Sequence, residues 1–561
     1  MNRARLVAVL LFVVAAVLFL IANRAAYHGY FFEDDFSNLS FTRWADTSDF
    51  FLAAFSPKYY PNNYRPIGHL FFRTMAHAFS LKFAPYVAFL HGVHLLNVAL
   101  LWLLLRRLTL PLWAASAGAL YFAFHIAMFD VYWKPMYVFD LLCGTFCLLS
   151  LLFWLKDRWI VSLLCFWLAY RSKEVAVMLP LALAACEYLV GKRRWPRLIP
   201  FFAVSLWFGI QGLFTASSGQ GYTFHYDPHS LAKAALYYSS RLFLIPGMWL
   251  MMIPVLLLLP FVVAPAARDR RVWFGALAFA ALLVPMLLLS DRLAGAYLYV
   301  PLIGLAIALA SAAPRYGAIA VGAFFALWIP WNYVNLRVLR NDALREADDR
   351  RRYVTALGEF LHTQPEIKSF VYRDAPLADP WGTLAAIEWF RPLEEIHVAR
   401  EDSADARQVL ESRRLAVLHW NTYAHRLEPV VCVPDTPNAS YIEAGPYMPV
   451  WQLSSGWAAA QGASVIRWIR PNASARLQRP PSSTMFELVV DVDPNTKGSI
   501  AVTLDGHPLG ALDLDHAGRL TGRWKVNSAS AGTAEIQAQA PPFHNPDELG
   551  VRVLGFGFLP R

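Results

Sequence analysis

Charged residues are scarce in this sequence. Aspartate, glutamate, lysine and arginine make up 16% of its 561 residues, whereas 57% of the residues are hydrophobic. The mean hydropathy of +0.37 is too high for an ordinary soluble protein. The apolar residues fill positions 1–333, and positions 334–561 have the charge density and turn residues of a soluble protein. We therefore expect a membrane domain followed by soluble domains.

Cysteine is also rare, and internal repeats are absent. Four of the five cysteines lie in apolar segments, and Cys432 stands alone in the soluble part. This distribution excludes a disulfide framework and predicts small buried side chains. No segment of about 20–50 residues recurs, which excludes a solenoid or a propeller.

The sequence contains many long hydrophobic runs. A membrane-spanning helix needs about 20 apolar residues. The runs that approach this length predict about eleven spans, at residues 5–22, 86–105, 112–128, 136–155, 159–170, 174–190, 198–214, 243–265, 273–289, 296–312 and 316–333. The first run follows Arg3 and Arg5 and lacks a small-residue cleavage site, which indicates a retained signal anchor.

The positive charge of the chain is concentrated between alternate spans. The loops at residues 2–5, 106–107, 156–158, 192–197, 268–271 and 315 carry fourteen Lys or Arg and two acidic residues. Basic loops mark the cytoplasmic side, so we expect the N-terminus inside and the tail outside. Inner and outer loops alternate along the whole chain only if residues 231–242 form a helix that lies on the outer surface and does not cross the membrane. The placement of the basic loops also accounts for the net charge of +10 without a nucleic-acid partner.

The tail divides into two patterns. Residues 334–450 alternate helical stretches with short apolar runs such as SFVY and LAVLHW, which indicates a small α/β domain. Residues 451–561 contain the alternating runs ELVVDVD, SIAVTLDG, AEIQAQA and VRVLGFGFL, which predict a β-sandwich-like domain. We expect both domains to be extracytoplasmic, in the periplasm of a Gram-negative host, with residues 1–333 in the cytoplasmic membrane.

The unusual polar residues all fall on the predicted outer face. The first outer loop contains FFEDDF, with Glu33, Asp34 and Asp35, about ten residues beyond the first span. An acidic triplet so near a bilayer is costly to desolvate and is expected to face water or a polar ligand. Carboxylates can act as general bases, and arginine and lysine can hold a phosphate. A lipid phosphate donor whose tail stays in the bilayer suits such a site.

Each of these residues also has an ordinary structural interpretation. The acidic triplet is compatible with a solvated loop or a helix cap, and Asp130 with an ion pair to Lys134. His91, His94 and Asn97 have helical spacing and are expected to form interhelical hydrogen bonds rather than a metal site. Structural contacts alone are also compatible with Arg65, which could pin a loop, and with two possible ion pairs, Lys173 with Glu174 and Asp291 with Arg292.

The order of the short motifs resembles the GT-C superfamily of polyprenyl-phosphate-sugar glycosyltransferases. Within it, residues 5–333 resemble the tetratricopeptide-containing transmembrane O-mannosyltransferases and their bacterial relatives. The matching motifs are Asp34-Asp35 after aromatic residues, Tyr64-Arg65-Pro66, His94-x-x-Asn97, the set His125, Asp130 and Asp140, Ser172-Lys173-Glu174 with Pro180, and Tyr297 to Pro301.

The resemblance implies roles for individual residues. It implies Asp34 as catalytic base with Asp35 and Asp130 in support, Arg65, Lys173 and Arg292 on the donor phosphate, and supporting positions at Glu33, Tyr64, His94, His125, Glu174, Asp291 and Tyr297. It also implies that no metal is needed, although other branches of the superfamily use a divalent cation such as Mg²⁺ or Mn²⁺.

Three departures from the family pattern bear on these roles. Gly295-Ala296 stands where the family has Glu-Arg, and Asp291-Arg292 lies four residues earlier, about one helical turn. Asp130 replaces a glutamate. The tail has no tetratricopeptide repeats, so the acceptor-binding apparatus differs from that of the family, and the expected acceptor is a glycan or a lipid as well as a protein.

The expected function is inverting sugar transfer from a polyprenyl phosphate to an acceptor hydroxyl at the outer face of the bilayer. A transporter or flippase for a lipid-linked sugar would keep the cavity and need no base. Transporter folds often contain inverted repeats, and none is evident here. A non-enzymatic cell-envelope assembly protein would tolerate loss of the carboxylates. Fold analogy alone does not separate these alternatives.

Overall fold

The computed structural model divides into two compact units, Met1–Asp348 and Asp349–Arg561. The residues that the structure describes are 3–32, 34–58, 60, 64–215, 224–243, 266, 268–377, 381–392, 394–403, 405–406, 409, 415–432, 437, 439–444, 452–457, 467–481, 485–494, 496–526, 532–541 and 551–559. The domain boundaries predicted from the sequence stay predictions.

The described part of the chain before Ser369 is helical. Its α-helices are α1 (Arg3–Ala22), α2 (Asp35–Trp44), α3 (Thr47–Phe55), α4 (Pro66–Phe79), α5 (Phe83–Arg107), α6 (Leu112–Phe124), α7 (Phe129–Trp133), α8 (Val138–Leu155), α9 (Trp159–Ser172), α10 (Leu179–Leu189), α11 (Ile199–Thr215), α12 (Pro228–Leu242), α13 (Arg270–Leu287) and α14 (Tyr299–Thr363). Short 3₁₀ turns occupy Arg24–His28, Ile126–Met128, Pro135–Tyr137, Glu174–Met178, Trp195–Leu198 and Gly295–Leu298.

Several helices begin where the sequence supplies a capping carboxylate. The side chain of Asp46 accepts a hydrogen bond from the Ser48 amide before α3, and Asp227 accepts from the Ser230 amide before α12. A side-chain oxygen at this position satisfies an amide that has no partner within the helix. Helix α12 covers the segment 231–242, which the sequence predicted to be helical.

Four helices among the described residues are long and apolar enough to cross a membrane: Phe83–Arg107, Pro135–Leu155, Arg270–Leu287 and Gly295–Thr363. The number is five if the pair Leu112–Phe124 and Ile126–Trp133, bent by 41°, counts as one span. Val9–Ala22 and Trp159–Ser172 are shorter apolar helices. The predicted span 243–265 lies almost wholly outside the described residues. The total of eleven and the orientation of the chain stay predictions.

Helix α14 is interrupted once. Gly317 has a φ of 80°, a left-handed conformation that glycine adopts without steric cost. The break lies next to Arg315, in the loop predicted to separate the spans 296–312 and 316–333. Beyond Gly317 the helix continues to Thr363, so the first part of the predicted segment 334–450 is helical.

The second unit contains a small mixed sheet. It comprises β1 (Ser369–Arg373), α15 (Trp381–Phe390), β2 (His397–Arg400), β3 (Leu415–Asn421) and β4 (Arg426–Cys432). The strand order is β2-β1-β3-β4, with β1 parallel to β2 and β3 and with β4 antiparallel to β3. The runs SFVY and LAVLHW form the two central strands, as the sequence predicted.

The remaining strands form one larger sheet. They are β5 (Tyr441–Glu443), β6 (Leu453–Trp457), β7 (Arg467–Arg479), β8 (Met485–Val492), β9 (Ser499–Leu504), β10 (His507–Asp513), β11 (Gly518–Lys525), β12 (Gly532–Gln539) and β13 (Arg552–Phe558). The order is β10-β9-β12-β7-β13-β8-β11, with β5 beside β13 and β6 beside β7. Trp524 of β11 lies directly against Gly510 of β10, so the sheet folds over and its ends meet. Buried apolar side chains, among them Phe486, Ile500 and Ile536, fill the space between.

Candidate functional site

The two neighbouring aspartates of the first predicted outer loop have different environments. Asp35 is fully buried, and its Oδ2 accepts a hydrogen bond of 2.7 Å from the Phe32 amide. Asp34 is exposed at the start of α2, and its backbone carbonyl accepts from the amide and the side chain of Asn38, at 3.0 and 2.8 Å. Asp34 therefore presents the accessible carboxylate, and Asp35 holds the turn. Glu33 lies outside the described residues.

Arg65 lies immediately before α4 and forms a bidentate ion pair with Glu174. Its Nε is 2.8 Å from Glu174 Oε1, and its Nη2 is 2.9 Å from Oε2. The side chain of Glu174 is 43% exposed and that of Arg65 is 15% exposed, so solvent reaches the pair from the side of Glu174. The guanidinium also lies 5.2 Å from the centre of the Phe139 ring. Arg65 thus has a carboxylate partner that a bound phosphate would have to share or displace.

Lys173 forms a more enclosed ion pair. Its Nζ is 2.7 Å from both carboxylate oxygens of Asp140, and the two side chains are 9% and 3% exposed. The same ammonium lies 4.5 Å from the centre of the Tyr297 ring. Lys173 is therefore neutralised by Asp140 and fixed against Tyr297. Asp140 is a residue that the sequence placed in a motif without assigning it to the site.

Tyr297 lies in the 3₁₀ turn Gly295–Leu298, against the ion pair of Lys173 and Asp140. Asp140 belongs to α8, and Lys173 directly follows α9. The fold therefore brings a predicted phosphate contact, Lys173, against a predicted supporting residue, Tyr297.

Asp130 pairs with Lys134 one helical turn away, at 3.0 Å. The Lys134 ammonium also lies 3.7 Å from the centre of the Phe32 ring, two residues before Asp34. This is the ordinary interpretation that the sequence allowed for Asp130. The contact with Phe32 places Lys134 beside the loop that carries the predicted base. The sequence did not assign Lys134 to the site. The supporting role of Asp130 stays a prediction.

Asp291 contacts the segment at the start of α12, which lies in or next to the preceding predicted outer loop. Its Oδ2 is 2.8 Å from His225 Nε2, and its Oδ1 is 3.9 Å from Lys233 Nζ. The His225 amide also donates to the Leu288 carbonyl at 2.8 Å. Asp291 therefore ties the segment that carries Arg292 to the start of α12.

His94 and Asn97 hold Tyr299 rather than a ligand. Asn97 Nδ2 donates to the Tyr299 hydroxyl oxygen at 3.0 Å, and this hydroxyl lies 3.0 Å from His94 Nδ1. His94 Nε2 lies 3.1 Å from the Ala123 carbonyl, which assigns the proton to Nε2 and leaves Nδ1 to accept from the hydroxyl. This network between helices fixes the turn that carries Tyr297.

His125 and Tyr64 have structural contacts. Nδ1 of His125 accepts from the Ala127 amide at 3.2 Å and caps the turn that leads to Asp130. The Tyr64 ring stacks on His69, with centroids 5.2 Å apart. Burial raises the pKa of Tyr64 to about 12, so its hydroxyl stays protonated at neutral pH.

His69 links the two parts of the first outer loop. Its Nδ1 accepts from the Arg65 amide at 3.0 Å, and its Nε2 lies 3.1 Å from Asn38 Oδ1. Burial, followed by the charge of Arg65, lowers the pKa of His69 from 6.5 to about 3. The imidazole is therefore neutral, with its proton on Nε2. The sequence did not identify His69 or Asn38 as site residues.

The neutrality of His69 predicts a pH dependence of stability. Its pKa in the folded state lies below the unfolded value, so its contribution is complete above about pH 6.5 and is lost as the pH falls toward 3. Between these values we expect a slope of about 1.4 kcal/mol per pH unit. The measurement is the difference in unfolding free energy between wild type and His69→Gln at pH 7 and pH 5.5. A difference that does not change with pH would contradict this prediction.

Arg171 is a buried cation whose partners are carbonyls and aromatic rings. It is 3% exposed and donates to the Ser56 carbonyl and, at 3.0 Å, to the Lys58 carbonyl. The guanidinium lies 4.8–5.9 Å from the ring centres of Tyr60, Trp167, Tyr170 and Phe208.

Three further donors hold the same segment. Trp167 donates to the Ala54 carbonyl at 2.7 Å, and Trp207 and Gln211 donate to the Pro57 carbonyl. Helices α9 and α11 thus clamp the segment that leads to Arg65. A single sequence gives no signal for such side-chain to backbone contacts.

Arg171→Met should release this segment. The methionine can fill the aromatic cage but donates no hydrogen bond, so the Ser56 and Lys58 carbonyls lose their partner. Lys58 is exposed, and trypsin cleavage after it reports local opening. We expect cleavage to accelerate about tenfold in Arg171→Met and less in Trp207→Phe, which removes one bond. Equal cleavage of wild type and Arg171→Met would show that Arg171 does not hold the segment.

The described residues contain no group of three or more histidine, cysteine, aspartate and glutamate side chains that could hold a metal ion. The role of Mg²⁺ or Mn²⁺ therefore stays an open prediction. The described cysteines Cys143, Cys147, Cys165 and Cys186 are free and buried, as the sequence predicted.

Comparisons with known proteins found likeness in structure but not in sequence. No family profile matches the chain, and no curated protein matches it. Among solved structures, the chain is similar to ArnT from Cupriavidus metallidurans bound to undecaprenyl phosphate. The TM-score is 0.48 at 14% identity, over 76% of this chain and 98% of that one.

Two mycobacterial enzymes are also similar. Arabinosyltransferase EmbB from Mycobacterium smegmatis gives a TM-score of 0.30 at 11% identity, over 97% of this chain and 64% of that one. A mutant of arabinofuranosyltransferase AftD from Mycobacteria gives 0.39 at 11% identity, over 97% and 60%. Because these TM-scores lie below 0.5, what the chain does has to be inferred from its own residues.

Proposed function

We propose that the chain is a multi-pass membrane glycosyltransferase of the GT-C type. It transfers a sugar from a polyprenyl-phosphate donor to a hydroxyl of a glycan, lipid or protein acceptor, with inversion at the sugar carbon. The observation that carries this proposal is the exposed residue Asp34, which hydrogen bonds through Asn38 and His69 connect to Arg65. A base and cations at the edge of an apolar helical unit are what such a reaction requires.

The reaction uses these groups in a defined order. Asp34 takes the proton of the acceptor hydroxyl, and the acceptor oxygen bonds to the anomeric carbon of the sugar. The bond between this carbon and the phosphate oxygen breaks, and its electron pair leaves with the polyprenyl phosphate. Arg65 and Arg292 stabilise the charge on the departing phosphate. Lys173, which Asp140 already neutralises, positions Tyr297 rather than binding the phosphate directly.

The remaining features of the proposal concern placement and partners. The site faces the outer side of the cytoplasmic membrane, and the N-terminus lies on the cytoplasmic side. The tail, residues 334–450 and 451–561, lies on the same outer side as the site. The tail guides the acceptor. The bilayer holds the prenyl chain of the donor, and no nucleic acid takes part. The reaction needs no metal, so EDTA should leave the rate unchanged.

The test is transfer by the purified protein in lipid vesicles. Radiolabelled polyprenyl-phosphate sugars are offered one at a time, with membrane extract of the host as acceptor. Label that moves from one donor to the extract is the expected result. Donor binding without transfer would favour a transporter or flippase, and neither binding nor transfer would favour a non-enzymatic assembly protein. Either result would overturn the proposal.

A further inference from the structure

We propose that Asn38 and His69 are positioning residues that couple the position of the phosphate-binding Arg65 to that of the base Asp34. Asp34 and Arg65 are far apart in the sequence of the first predicted outer loop, and Asn38 and His69 connect them through consecutive hydrogen bonds. We call this chain of hydrogen bonds the relay. The kinetic part of this proposal rests on the proposed function, and the structural part does not.

The connection is continuous on the side of the base. Asn38 lies one turn after Asp34 in α2, and its Nδ2 donates to the Asp34 carbonyl at 2.8 Å. The Oδ1 of the same amide accepts from His69 Nε2 at 3.1 Å. Both ends of the Asn38 amide are therefore engaged, and a rotation of this side chain would break two bonds together.

The connection is equally direct on the side of the cation. His69 Nδ1 accepts from the Arg65 amide at 3.0 Å, and the His69 amide donates to the Arg65 carbonyl at 3.0 Å. Both backbone groups of Arg65 are thus tied to His69. The guanidinium of Arg65 holds Glu174, which is 43% exposed. A phosphate that competes with Glu174 for the guanidinium would therefore shift Arg65, whose backbone is bonded to His69.

The chemistry of the imidazole fits this role. A protonated His69 would point an N–H at the Arg65 amide and break the relay, so the ring has to be neutral. The ring is 5% exposed, which favours the neutral form. The relay is therefore intact throughout the neutral pH range. Because binding free energies are reciprocal, a shift of Arg65 that moves Asp34 implies that Asp34 also influences Arg65.

The first test uses no substrate. Hydrogen exchange at the amides of residues 34–38 is measured on the full-length protein in lipid nanodiscs. Glu174→Gln weakens the hold on Arg65 without touching α2, and we expect it to accelerate this exchange about tenfold. Asn38→Leu cuts the relay and should accelerate it similarly. In the double variant we expect no further increase, because both changes act through one connection.

Matched variants separate the relay from a general loss of structure. His69→Asn retains an acceptor near the Arg65 amide but cannot reach Asn38. Thr74→Val removes an exposed hydroxyl from the same helix, α4. We expect the exchange of residues 34–38 to rise in the first and to stay unchanged in the second. Additive effects of Glu174→Gln and Asn38→Leu, or no effect of Glu174→Gln, would overturn the proposal.

The second test is kinetic. With an active donor, Asn38→Leu should lower kcat about tenfold and change KM for the donor less than about twofold, because the base is displaced while the donor contacts remain. Asn38→Asp keeps the acceptor for His69 and should recover part of the rate. A rise of KM with unchanged kcat would overturn the positioning role. If wild type transfers no sugar, the proposed function fails, and the exchange experiment still decides the relay.

Discussion

Asp34→Asn should lower sugar transfer about 10²–10⁴-fold, the range in which a general base contributes. Asparagine has nearly the same shape but cannot accept the proton of the acceptor hydroxyl. The carboxylate is exposed, and the contacts that fix residue 34 use its backbone carbonyl, so the fold should not change. The measurement is the rate of transfer at saturating donor, together with the thermal unfolding of the same preparation.

Asp35→Asn is the matched control. This side chain is fully buried, and its amide counterpart can still accept the hydrogen bond from the Phe32 amide. We therefore expect a loss of stability and a rate that falls less than about tenfold per folded molecule. If Asp35→Asn abolished transfer and Asp34→Asn did not, the base would be Asp35. If transfer survived both changes, Asp130 would be the next carboxylate to replace.

The contrast between these two aspartates also marks the limit of what the sequence could predict. The pair Asp34-Asp35 was recognisable as a motif, because composition and order are local. Which carboxylate faces solvent depends on the direction of a turn that the buried Asp35 itself stabilises. The direction of this turn cannot be predicted from a single sequence.

The same limit applies to charge pairing. The tail strands were predictable, because alternation of apolar and polar residues is a local consequence of a half-buried strand. The partner of Arg65 lies 109 residues away, and the partner of Lys173 lies 33 residues away. Only the tertiary packing of helices joins them. The sequence therefore identified the cations but could not tell that Glu174 and Asp140 already neutralise two of them.

Replacement of Lys173 by methionine should destabilise the protein by about 3–5 kcal/mol, because it leaves the carboxylate of Asp140 buried without a partner. The two side chains are 9% and 3% exposed, so water cannot replace the ammonium. The measurement is the free energy of unfolding of the reconstituted protein. Lys134→Met is the matched control. Its pair with Asp130 is 18% and 32% exposed and should contribute about 1 kcal/mol or less.

The double variant Lys173→Met with Asp140→Leu distinguishes the cost of the orphaned charge from the cost of lost packing. It removes both charges and keeps similar volume, so it should recover most of the stability that Lys173→Met loses. Transfer should nevertheless stay low, because the ammonium that lies against the Tyr297 ring is gone. A double variant as unstable as the single one would mean that Lys173 acts through packing. A double variant with normal transfer would mean that Tyr297 does not need Lys173 for its position.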